Sequence, residues 1–323
     1  MSPESTQPWS SRRLLFVTGK GGVGKTTVTA AMALALASRG QRVLAATCGV
    51  HERLSAMFGV APLDHTIRQV ADKVWAVRIE PEHAMEEYGV LVLKVRALAR
   101  AVFDNKYTHT FFRAVPGLYE WAMLGKAWYH TTETRSDGTN RFDVVLFDAP
   151  STGHGLDMLR VPRVILDIVP PGILRRDAEQ AWQLLSDPTR SGVVVVSLAG
   201  DMPTTETLQL VDALRTELQL PIACTVINGV DEQLFTAPQR ASLLADESRL
   251  DPDRSSGQGE AQGTLVAAAA RAERERRQAF NVDRLRAAMS DAPLVLPRLV
   301  EGAGTPAGTA VLARALKGEA DAE

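Results

Sequence analysis

The chain has 323 residues, 45% hydrophobic and 23% charged, with a formal net charge of −2. That length can bury a large core, and the near-neutral balance gives no electrostatic footprint for nucleic acid or an acidic membrane surface. The cysteines are Cys48 and Cys224 alone, without a C-x-x-C pair, which argues against a disulfide scaffold or a cysteine-built zinc site. No apolar stretch is long enough to span a bilayer. The segment Met1 to Ser11 is polar, carries Pro3 and Pro8, and lacks the apolar core of a signal peptide, so a cytoplasmic location is expected.

Taken in order, Leu14-Leu15-Phe16-Val17 is an apolar run that leads into Gly19-Lys20-Gly21-Gly22-Val23-Gly24-Lys25-Thr26-Thr27. An Ala-, Leu- and Met-rich helical pattern follows from Val28 to Ser38, and Gly40 is placed to stop it. Val43 to Thr47, Val74 to Ile79, Asp143 to Phe147, Val193 to Leu198, Pro221 to Ile227 and Leu294 to Leu296 read as further strands. Strands of this kind separated by helix-length segments predict an α/β fold, a parallel doubly wound sheet with helices on both faces. One segment breaks the alternation. Residues 82–133 carry many large apolar side chains, among them Leu91, Leu93, Leu98, Phe103, Phe111, Phe112, Trp121, Leu124 and Trp128, and read as a helical insertion. Residues 246–263 are polar and turn-rich and read as a mobile loop. Ala267 to Met289 reads as a helix whose mixed Arg and Glu residues form a solvated face.

The run Gly19 to Thr27 has the strand, glycine-rich turn and helix start that a phosphate-binding loop requires. Backbone N–H groups of Gly21, Gly22, Val23, Gly24 and Thr27 can converge on a polyphosphate, and the helix N-terminus adds its positive dipole end. Lys25 would reach the β and γ phosphates, and the Thr26 hydroxyl would ligate Mg²⁺. Asp148, at the C-terminal end of a strand, is placed to hold Mg²⁺ through water. A nucleoside triphosphate and Mg²⁺ are therefore the expected cofactors. The expected organisation is a flexible N-terminus at 1–12, one P-loop domain over 13–318 with its insertion and loop, and a tail at 319–323.

Lys20 makes the pattern K-G-G-x-G-K-T-T, which resembles the deviant Walker A loop of the MinD and ParA class of P-loop ATPases. The stretch Phe142 to Leu156, F-D-V-V-L-F-D-A-P-S-T-G-H-G-L, resembles the arsenite-pump ATPases and the ATPases that target tail-anchored membrane proteins. That resemblance implies ATP as the nucleotide and a face-to-face dimer in which Lys20 acts on the partner's nucleotide, although a lone loop lysine is otherwise simply solvated. It also implies that Thr152 and Gly153 line the γ-phosphate region and that His154 is a switch residue. Val115 to Glu120 resembles a turn of the family's helical subdomain, and Val295 to Leu299 its loop over the adenine. Val226-Ile227-Asn228 resembles the strand end whose Asn recognises the base, while an Asn after a strand is equally a turn residue.

One departure stands out. The family carries an Asp after its second strand that orients the attacking water, and here Gly49 or Cys48 falls at that place, with His51 and Glu52 as nearby substitutes. Two functions follow. In one, the chain is an ATP-hydrolysing dimeric switch whose nucleotide state controls a surface for a protein client or membrane-protein partner. Met85, Leu91, Phe103, Phe111, Phe112, Trp121 and Met123 are candidates for that surface, or else core residues. In the other, it is a hydrolysis-deficient regulatory subunit, so that the partner is a paralogous ATPase in a heterodimer rather than a second copy in a homodimer. Oxyanion pumping is disfavoured because no cysteine cluster is present, and partitioning on DNA because the charge is near neutral.

Overall fold

A computed structural model describes residues 8–48, 52–93, 117–150, 154–245, 260–300 and 302–318. The strands are β1 (Leu14–Gly19), β2 (Val43–Thr47), β3 (Arg68–Ala71), β4 (Val74–Arg78), β5 (Val144–Asp148), β6 (Ser191–Leu198), β7 (Ile222–Val230) and β8 (Leu294–Pro297). They form one eight-stranded sheet in the order β3-β4-β2-β5-β1-β6-β7-β8. Every neighbouring pair is parallel except β3 with β4. The expected α/β architecture is present. Strands β1, β2 and β5 are buried at every position, as continuous apolar runs in a parallel sheet covered on both faces should be. The edge strand β3 has no counterpart in the sequence reading. It is short, polar and half-exposed, a form that blunts a sheet edge and leaves no apolar alternation to detect.

The α-helices in the described residues are α1 (Lys25–Ser38), α2 (Leu54–Phe58), α3 (Pro81–Leu93), α4 (Leu118–Thr132), α5 (His154–Ile168), α6 (Ile173–Ser186), α7 (Asp201–Ala213), α8 (Ala237–Leu244), α9 (Glu260–Ala288) and α10 (Pro306–Lys317). The period of two along β1 sends Leu15 and Val17 to one face and Leu14 and Phe16 to the other. On the first face they meet Val28, Met32 and Leu36 of α1 and Leu312 and Leu316 of α10. On the second they meet Phe147, Met85 of α3, Ala122 of α4 and Met158 of α5. Helix α1 ends as expected: Gly40 takes φ 90° and donates its N–H to the Ala37 carbonyl at 2.9 Å.

The expected insertion supplies α3 and α4. Met85, Trp121 and Met123 are buried, so these three candidates for a client surface are core residues, as apolar stripes on packed helices usually are. Leu98, Phe103, Phe111 and Phe112 lie outside the described residues, as do the side chains of Leu91 and Leu93. Trp121 packs with Val161 and Ile165 of α5 and Ala178 and Ala181 of α6, which fastens the insertion to the helix that follows β5. The loop expected over 246–263 ends sooner than its polarity suggests, because α9 already begins at Glu260; residues 246–259 lie outside the described set. The mixed charges of α9 are not all solvated either. Glu275 is 5% exposed, pairs with Arg271 at 3.1 Å and accepts the Leu234 N–H at 2.9 Å.

Candidate nucleotide site

Strand β1 lies between β5 and β6; from β1 the chain crosses to β2 on one side, and from β5 it crosses to β6 on the other. That switch point opens a crevice at the carboxyl ends of the strands, and the glycine-rich loop fills its floor. A Cβ on Gly19 would sit 2.2 Å from the Val196 carbonyl oxygen. At Gly24, φ is 90° and a Cβ would sit 2.2 Å from Asn228 Nδ2. These two positions admit glycine alone. Gly24 also leaves α1 without a side-chain N-cap, so the first N–H groups of the helix, from Lys25 to Thr27, keep their capacity for an anion.

Lys25 is 8% exposed and folds back into the loop, donating from Nζ to the Gly19 and Lys20 carbonyls, each at 3.1 Å. Burial lowers the pKa of its ammonium, with Asp148 opposing the shift. Asp148 stands in register with Val17 of β1 and Thr47 of β2. Its Oδ2 accepts from the Thr26 hydroxyl at 2.7 Å and the Thr47 hydroxyl at 3.1 Å. Its Oδ1 is buried without a hydrogen-bond partner among the described residues. Burial pushes this carboxyl up to about 6, against the hydroxyls and Lys25. A buried carboxylate oxygen lacking a donor, beside a threonine hydroxyl at a helix N-terminus, fits the water shell of a hard divalent cation. Thr26 and Asp148 would hold Mg²⁺ there, and the ion would supply charge for a triphosphate.

The other expected residues fall as follows. Lys20 pairs within its own chain, its Nζ 2.7 Å from Glu206 Oε1 on α7. Asn228 reaches the loop from β7 and donates Nδ2 to the Val23 carbonyl at 2.9 Å. Thr152 and Gly153 lie outside the described residues, and so does the side chain of His154, whose backbone opens α5. Gly49 and His51 are likewise outside them. Glu52 is committed elsewhere: Oε1 accepts the Ser55 N–H at 2.8 Å and Oε2 the Leu63 N–H at 3.2 Å. Cys48 donates its thiol to the Asp148 carbonyl at 3.4 Å, and burial raises its pKa.

Thr47 and Glu206 were not anticipated. Thr47 had a signal, a polar residue closing a buried strand. Glu206 had none, since only the adjacency of β6 to β1 brings α7 to the loop.

The model of the anion-transporting ATPase family matches residues 12–170, from the start of β1 through the glycine-rich loop, Asp148 and α5. Over this stretch, about half of its length, the chain is similar to the anion-transporting ATPase family. That likeness, with its relatives, supports a nucleotide-binding P-loop protein of the ATP-binding ATPases. It is 29% identical to ATPase BagA of Mycobacterium tuberculosis over 233 residues, 69% of this chain and 68% of that one. It is 28% identical to an arsenical pump-driving ATPase of Escherichia coli over 237 residues, 67% of this chain but 39% of that longer protein. With ATPase GET3 of Kluyveromyces lactis it shares 27% identity over 164 residues, 48% of this chain and 47% of the other. No helix among the described residues is long and apolar enough to cross a membrane.

Proposed function

We propose that this protein is a Mg-ATP-dependent dimeric switch with slow turnover, whose nucleotide state moves the helical insertion and so controls a surface for a client or partner protein. The observation that carries the reading is the Asp148 carboxylate, one oxygen held by Thr26 and Thr47 and the other without a donor among the described residues, beside the phosphate-loop helix. Lys25, with Gly21, Gly22, Val23, Gly24 and Thr27, would hold the phosphates. Asn228 and the segment after β8 would hold the base, and residues 152–154 would respond to the γ-phosphate. Lys20 would leave Glu206 to act on a partner's nucleotide, because an exposed bridge of this kind holds it only weakly. Trp121, which packs α4 onto α5, links that switch region to the insertion. The chain is expected to work in the cytoplasm as one P-loop domain.

A second reading is favoured by Glu52. Both its oxygens cap backbone N–H groups, so it is unavailable to orient water where the family Asp is absent. Phosphoryl transfer depends on positioning and charge stabilisation, and losing the water-orienting carboxylate slows turnover while sparing ATP binding. The chain would then regulate an active paralogue in a heterodimer. Driving an arsenical pump, as the name of the E. coli relative states for that protein, is not proposed, because Cys48, just after β2, and Cys224, on β7, offer no cluster.

The test is phosphate release with Mg-ATP, measured beside an ATP-binding titration and a Lys25→Ala control. Lys25→Ala is expected to weaken ATP binding by about two orders of magnitude, roughly 3 kcal/mol. Binding with turnover that this change abolishes supports an autonomous switch, and binding without turnover supports the regulatory subunit. Absence of ATP binding would overturn both.

A further inference from the structure

Three metal-ligating side chains from two segments, none of them among the nucleotide residues, converge at the carboxyl end of β4. His65 lies in the loop before β3, Glu80 joins β4 to α3, and His83 stands in the first turn of α3. One donor atom from each lies within 4.8 Å of the others, and no second group of this kind occurs among the described residues. The His65 and His83 rings stack with centroids 4.5 Å apart and planes 28° from parallel. His83 turns Nε2 towards Glu80 Oε2 at 3.6 Å and Nδ1 towards Glu86 Oε2 at 3.9 Å.

We propose that His65, Glu80 and His83 form a zinc-class divalent metal site at the root of the helical insertion. Two imidazoles and one carboxylate are a donor set for zinc and its neighbours, whereas Mg²⁺ and Ca²⁺ take oxygen alone. Zinc–ligand bonds of about 2.0–2.2 Å set tetrahedral donor separations of about 3.3 Å. The present spread closes by side-chain rotation, since both histidines are exposed and Glu80 is half-buried. Arg78 Nη1 lies 3.4 Å from Glu80 Oε1, so Oε2 is the oxygen that faces the site. Glu86, beside Nδ1 of His83, is placed as the outer partner that fixes a ligating imidazole. The dipole of α3 opposes a cation at its N-terminus, and Glu80, Glu82 and Glu86 offset it. The fourth coordination position faces solvent and takes water.

A bound ion would join the loop after α2 to the first turn of α3, where the insertion leaves the sheet. That root is tied to the nucleotide edge. Ile79 donates its N–H to the Thr47 carbonyl at 2.8 Å, and the Thr47 hydroxyl holds Asp148.

The experiment uses the full chain without an affinity tag, stripped with chelator and titrated with Zn²⁺ by calorimetry, with the absorption of the Co²⁺ form as a second readout. The expected result is one ion per chain, with affinity reduced at least about tenfold by His65→Ala, His83→Ala or Glu80→Gln and by about tenfold in Glu86→Gln. The cobalt form should lack a thiolate charge-transfer band. An ATP titration on each variant shows that it remains folded. Failure of the wild-type chain to take up one Zn²⁺, undiminished uptake by a His65→Ala/His83→Ala double variant, or a thiolate band would each overturn the site.

Discussion

Asp143 and Asp148 bracket the same buried strand, and they are treated in opposite ways. At the amino end Asp143 is saturated: Oδ1 accepts from Arg42 Nη2 at 2.7 Å, and Oδ2 from the Arg42 backbone N–H at 2.8 Å and Nε at 3.1 Å. The Arg42 hydrogen bonds hold its carboxyl below the ordinary range. At the carboxyl end Asp148 has two neutral hydroxyls, one oxygen without a donor among the described residues, and a carboxyl raised to about 6 by burial. One aspartate stabilises the fold as it stands. The other carries an unmet electrostatic demand that a cation would satisfy, and this asymmetry separates the functional edge of the sheet from its structural edge.

The largest effect is expected where the functional edge has no room. Gly24→Ala places a Cβ against Asn228 in a left-handed backbone and should destabilise the chain by about 2–4 kcal/mol while abolishing ATP binding. Chemical denaturation and an ATP titration read the two losses together, and retained binding would show that the loop does not cradle phosphate.

Asp148→Asn tests the contrast directly. It should remove Mg²⁺-dependence from ATP binding, yet stabilise the nucleotide-free chain on the order of 2 kcal/mol at pH 7.5. The sign follows from the raised carboxyl. Asp148 favours the fold while protonated, below its ordinary range, and that contribution is lost as pH rises through about 6. The advantage of the variant should therefore be complete above about pH 6 and shrink as pH falls towards the ordinary Asp range. A variant less stable than the wild type at pH 7.5 would break the comparison. Asp143→Asn should do the opposite, costing about 1 kcal/mol after allowance for solvent screening and leaving the ATP affinity unchanged.

The smallest structural effect is expected at Glu206. Freeing Lys20 with Glu206→Gln should alter stability by less than about 0.5 kcal/mol, because Lys20 is 45% exposed. If Lys20 serves a partner's nucleotide, phosphate release should then rise more steeply with protein concentration than in the wild type.

What was legible in the sequence was whatever the chain states locally. Leu14 to Thr27 gives strand, turn and helix start in contiguous residues, and Asp148 closes an apolar run at the strand end where α/β sheets place ligands. What pairs across the fold was not legible. Nothing near Lys20 announces Glu206, and Glu52 looked available until its two backbone N–H donors were seen. Asn228 read as a turn residue or a base contact, whereas its amide also braces Val23. The charges of α9 read as a solvated face because the loop that Glu275 caps lies some forty residues earlier, at Leu234 and Phe235.

The brace from Asn228 to Val23 joins positions 205 residues apart. A chain emerging from the ribosome therefore exposes its glycine loop early but cannot complete the site until β5, β6 and β7 have been made and docked around β1. Long-range parallel pairing of this kind assembles slowly. Competence for nucleotide thus arrives late in synthesis, and a nascent fragment ending before β7 presents the phosphate loop without the strand that braces it.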